Sequence, residues 1–87
     1  MYYRKKAAAL KYDRDKGSAP YLSAKGSGYI AEKIIQKAAE NGVEIKEDPD
    51  LVEALSKLDI YQQIPEELYK AVAELLAEIY RINKESI

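Results

Sequence analysis

From Ile64 onward the apolar residues recur at steps of three and four. Leu68, Ala71, Val72, Leu75, Leu76 and Ile79 fall in one stripe, while Glu74, Glu78 and Arg81 lie outside it. That spacing is the mark of an amphipathic α-helix with one buried face. Pro65 suits the first helical position, where its missing N–H has no intrahelical partner to lose, and Glu66 and Glu67 oppose the positive end of the helix dipole. In a chain of 87 residues such a face belongs to one small domain. A core of that size supplies a stability on the order of 5 kcal/mol.

Two further helices are legible. One runs from about Gly28 to Asn41, with Ile30, Ala31, Ile34, Ile35 and Ala38 as its apolar face, Ser27 as N-cap and Gly42 as a left-handed stop. A shorter one begins at Asp48, a good N-cap followed by Pro49, and buries Leu51, Leu55 and Leu58. Between them Val43-Glu44-Ile45-Lys46 alternates apolar and charged residues and reads as a brief strand.

Composition narrows the chemistry. The hydrophobic fraction of 47% is that of a folded chain. Phe and Trp are absent, so eight tyrosines supply every aromatic ring, and each hydroxyl needs a partner or a wet rim position. A net charge of −1 favours neither nucleic acid nor a membrane surface. The lack of Cys removes disulfides and thiolate sites and fits a reducing compartment. No apolar run approaches the roughly 20 residues of a membrane span, and no signal peptide is visible. With no His either, the common nucleophile–base pairs and most transition-metal sites are unavailable. The acidic stretches Asp13–Lys16 and Glu44–Asp50 lack the oxygen spacing and central glycine of a calcium loop. We therefore expect no enzyme, no metal and no cofactor. Gly26-Ser27-Gly28 before a helix invites a phosphate reading, but it lacks a full glycine fingerprint and reads better as a strand-to-helix turn. The Tyr2–Lys6 cluster mixes rings and cations as single-strand nucleic-acid binders do, yet it is short and terminal, and a solvated arm is the stronger reading.

Four segments, taken in order, point to a family. They are Ala9-Leu10-Lys11-Tyr12-Asp13; Ser18-Ala19-Pro20 leading to Ala24-Lys25-Gly26; Pro49-x-Leu51-x-x-Ala54-Leu55; and Ile60-Tyr61-Gln62-Gln63-Ile64-Pro65 running on to Leu76. Together they resemble the cytoplasmic domain of FlhB/YscU-type proteins, the substrate-specificity switches of flagellar and type III export machines. The resemblance covers residues 6–82, which leaves 1–5 as an N-terminal arm and 83–87 as a tail. It implies that Lys6–Lys11 is a strand, although Ala, Lys and Leu are strong helix formers. Ala8, Leu10 and Tyr12 would then share a face, Tyr21–Ala24 would form the next strand, and the order would be β-β-α-β-α-α. The expected fold is a small α/β domain with a mixed sheet of about three strands packed against three helices.

The family cuts itself at an Asn-Pro-Thr-His motif, and the matching positions here are Tyr2, Tyr3, Arg4 and Lys5. A phenol has no amide nitrogen to attack its own main-chain carbonyl, so self-cleavage is not expected. Family members keep a hydrophobic strand ahead of that motif. This chain begins at it, so the sheet is expected to leave an edge open to strand addition, by a membrane FlhB paralogue or a second copy.

The resemblance further implies a small apolar patch that receives a short segment of export substrates. The matching residues are Ala19, Pro20, Ala73 and Leu76, all of the family's type. Plain packing of Leu76 in the core, with Ala19-Pro20 merely ending a loop, explains the same residues equally well. The implied function is a non-enzymatic docking module in the cytoplasm, peripheral to the export apparatus. Its implied partners are rod- and hook-type substrates or export-gate components, with neither nucleic acid binding nor membrane insertion. The alternative is a regulatory or structural subunit that keeps the fold without docking.

Overall fold

The computed structural model describes residues 5–12 and 19–85, with side chains as far as Ile79. Two antiparallel strands, β1 (Lys6–Lys11) and β2 (Tyr21–Ser27), pair with Lys6 opposite Ser27 and Lys11 opposite Tyr21. The register shifts at Ala9/Leu10, because Ala9 faces Ala24 while Leu10 faces Leu22. Ser23 is the extra residue of this bulge, and its hydroxyl donates to the Ala9 carbonyl at 3.2 Å. Lys6–Lys11 is thus a strand, and pairing with β2 overrides the helical propensity of its alanines.

Those alanines make room. Ala7 lies opposite Gly26, so both face the same side of the sheet, and α1 (Tyr29–Glu40) packs over both strands there with Ala31 fully buried. The approach is close: a Cβ built on Gly26 would overlap Ile30 Cγ2 and come within 2.8 Å of Ile30 Cβ. A β-branched side chain at a helix start cannot swing clear of such a contact. Gly26→Ala should therefore destabilise the domain by about 1–3 kcal/mol through overpacking, measured as a lowered urea midpoint; an unchanged midpoint would show that α1 can shift at no cost.

The main core is on the other side. Leu22, Leu51, Leu55, Leu58, Ile64 and Val72 form one buried cluster, with Ala8, Leu10, Leu68, Leu75 and Leu76 packed around it. The layers are α1, then the sheet, then α2 (Pro49–Leu55) with α3 (Tyr69–Glu85). Asp48 caps α2 as expected, accepting from the Leu51 N–H at 3.1 Å. At the other end the Lys25 ammonium donates to the carbonyls of Ser56 (3.2 Å) and Leu58 (2.6 Å), satisfying acceptors left open where α2 stops and tying it to β2. Lys6 and Glu53 form a surface pair at 2.6 Å joining β1 to α2. The hydrogen bond from Lys6, then its charge, holds the Glu53 carboxyl below the usual range. The stability from this pair is present above the unfolded carboxyl's pKa and fades as pH falls through the folded one.

Several expectations need correction. Val43–Lys46 is exposed coil, and no third strand forms among the described residues. The alternating pattern has no neighbouring strand to pair with, so Val43 and Ile45 remain exposed. The sheet is thus a two-stranded antiparallel one, and a different segment flanks β2: Leu22 N–H donates to Gln62 O (3.0 Å) and Ile64 N–H to Pro20 O (3.0 Å), with an isolated bridge between Tyr21 and Gln63. The N-cap of α1 is Gly28 rather than Ser27. Its φ of 59° and ψ of −123° turn strand into helix in a region that only glycine adopts freely. Pro65 precedes a short 3₁₀ turn, Glu66–Leu68, with extended backbone, and the α-helix starts only at Tyr69. Ile30 and Ala71, assigned to buried stripes, are exposed: Ile30 touches Gly26 yet leaves most of its side chain uncovered while Ala31 is enclosed, and on α3 it is Val72 that enters the core. Gly42 does close α1 with a φ of 69°. No helix among the described residues is long and apolar enough to cross a membrane.

Candidate docking groove

The pairing of Gln62–Ile64 with Pro20–Leu22 has a consequence beyond the sheet. It sets the approach to α3 beside the end of the loop before β2, so that the start of α3 stands next to Ala19 and Pro20. Between them lies a groove of about 350 Å³ lined by Tyr12, Ala19, Pro20, Tyr69, Val72, Ala73 and Leu76. One bank is strand end and loop: Tyr12 just beyond β1, with Ala19 and Pro20 just before β2. The other is a single face of α3, since positions 69, 72, 73 and 76 repeat at helical steps. The four residues singled out from the sequence, Ala19, Pro20, Ala73 and Leu76, are brought together in this one groove.

Their environments differ in a useful way. Val72 forms the floor, 2% exposed and shared with the core. Leu76 is half-buried and touches both the core cluster and the groove, so packing and groove lining are not exclusive roles for it. Ala19 and Pro20 are half-buried, and Ala73 is exposed. Tyr12 and Tyr69 form the rim, 41% and 49% exposed. Sequence reasoning had not singled out these tyrosines. Tyr69 could have been found from its three- and four-residue offsets to Val72 and Ala73, whereas the place of Tyr12 depends on where β1 ends.

Other flagged positions contribute nothing here. Tyr2, Tyr3 and Arg4 lie outside the described residues, and Lys5 is exposed, its carbonyl accepting from the Gly28 N–H at 2.7 Å. That bond occupies a donor that an anion at the start of α1 would need, which leaves Gly26–Gly28 as a turn. Among the described residues no group of acidic or sulfur/imidazole side chains is arranged to hold a metal ion.

Comparison with known proteins now decides the family. A family model described as "FlhB HrpN YscU SpaS Family" matches residues 5–79. The chain belongs to this family. FlhB of Escherichia coli (strain K12), a flagellar biosynthetic protein, is 46% identical over 79 residues, which are 90% of this chain but 21% of that protein. The chain thus spans about a fifth of the length of FlhB. A relative of similar size is the uncharacterized protein YlqH of Bacillus subtilis (strain 168), 45% identical over 80 residues, 92% of this chain and 86% of YlqH. Among solved structures, the crystal structure of the PscU C-terminal domain superposes with a TM-score of 0.80 at 27% identity, covering 85% of this chain and 95% of that one. The chain therefore shares its fold with the PscU C-terminal domain.

Proposed function

We propose that this chain is a non-enzymatic docking module of the flagellar or type III protein export apparatus. It holds a short apolar segment of a rod- or hook-type export substrate, or of an export-gate component, in the groove between Ala19-Pro20 and α3. It acts at the cytoplasmic side of the apparatus as a peripheral component. The observation that carries this reading is the convergence of Ala19, Pro20, Ala73 and Leu76, distant in sequence, on one apolar groove. A groove of this volume with few polar groups matches the form of a ligand site. Its small size points to a transient contact of modest affinity.

The test is retention of purified rod and hook proteins by the immobilised chain at physiological salt. Retention of one or more at tens of micromolar, released by a soluble excess of the chain, is the expected result. Failure to retain any of them, or any gate component, would remove docking and leave a subunit that keeps only the fold.

A further inference from the structure

The groove has an uneven chemistry. The side chains of Ala19, Pro20, Val72, Ala73 and Leu76 carry no polar atom, so among the described residues the phenol hydroxyls of Tyr12 and Tyr69 are the only side-chain hydrogen-bonding groups on its lining. Neither hydroxyl has a hydrogen-bond partner among the described residues, and both rings stand about half exposed at the rim. The backbone on the α3 bank is committed to its own helix, and the Pro20 carbonyl is taken by Ile64. An apolar segment that settles here brings more than side chains. If it is extended, its N–H and C=O groups are desolvated along with them and need partners. If it is an amphipathic helix, its backbone is already satisfied and the hydroxyls have nothing to meet.

We propose, resting on the docking reading above, that the groove takes its occupant as an extended apolar peptide. Tyr12 from the loop bank and Tyr69 from the helix bank select it by hydrogen-bonding its backbone. The rings supply apolar walls and the hydroxyls supply side-chain polar contacts that the other described lining residues lack, a division of labour that suits tyrosine at a wet rim. Specificity follows from what is left unpaired: a helical ligand or a bare apolar surface gains nothing from the hydroxyls, whereas an extended strand does.

The test uses 12-residue overlapping peptides that tile a hook-type protein, titrated into the full chain by calorimetry. The tightest binder is then repeated with single interior amides N-methylated. Tyr12→Phe with Tyr69→Phe keeps both rings and should leave the urea midpoint unchanged. It should weaken the best peptide roughly tenfold, the loss expected for about two neutral hydrogen bonds. N-methylation at one interior amide should weaken binding to the wild-type chain but cost nothing further in the double variant. That coupling would not arise if the tyrosines were only structural. Equal affinity of wild type and double variant, or a bound peptide that is helical by isotope-edited NMR, would overturn the selection by hydroxyls while leaving groove docking intact. No binding of any peptide to the wild-type chain would overturn both.

Discussion

Leu22→Ala should remove about 2–5 kcal/mol of stability, the largest loss expected from any single truncation in this domain. Leu22 is 0% exposed and sits in β2 where leucines of α2, Ile64 and Val72 of α3 meet. Its own backbone is held on both flanks, by Leu10 of β1 and by the bonds to Tyr61 and Gln62. The surroundings therefore have little freedom to collapse into the space left behind, and the cavity cost adds to the lost burial. Against a total on the order of 5 kcal/mol for a core of this size, the variant should keep about half of its stability or less. Urea denaturation followed by circular dichroism gives the value directly. A loss under about 1 kcal/mol would mean that the Leu22 side chain is less enclosed than its burial indicates.

Ala73→Asp should abolish docking while sparing the fold. Ala73 is exposed, so folding does not bury the new carboxylate. An occupant seated between Ala19-Pro20 and α3 would desolvate it, at a cost of about 1–3 kcal/mol, or roughly ten- to a hundredfold in affinity. Aspartate also weakens the helix by up to about 0.7 kcal/mol. Ala71→Asp is the matched control, because it carries the same helix penalty at an exposed position that does not line the groove. Binding of a retained hook- or rod-type protein, measured for both variants beside their urea midpoints, separates the effects. Loss in Ala73→Asp alone supports the groove. Equal retention by both folded variants would place docking elsewhere, and unfolding of Ala73→Asp alone would show that the site belongs to the core.

The helices were legible because their signals are local. The three- and four-residue spacing of Leu68, Val72, Leu75 and Leu76, the Asp48-Pro49 start and the Gly42 stop each act within a turn or two of chain. Where the sequence misled, a distant partner had the deciding vote. Val43–Lys46 has the alternation of a strand, but a strand exists only where another lies beside it, and here none does among the described residues. Lys6–Lys11 has the composition of a helix, yet it pairs with β2. Ile30 looked buried by periodicity, but it meets the sheet only where it leans against Gly26 at the start of α1 and stays 53% exposed, while Ala31 is fully buried.

The groove divides in the same way. Local pattern placed Val72 and Leu76 on one face of α3, and family resemblance joined Ala73 and Leu76 to Ala19 and Pro20. Residue types and helical spacing are properties of the chain, and they carried the family resemblance, the three helices and the apolar type of the groove residues. That its two banks face each other depends on Gln62–Ile64 lying alongside Pro20–Leu22, backbone bonds between segments some forty residues apart. Only the tertiary structure could decide this, because an isolated bridge has no periodicity and leaves no pattern in the residues that make it. It decided equally that Tyr12 joins Tyr69 on the rim, since nothing in the neighbourhood of either tyrosine refers to the other.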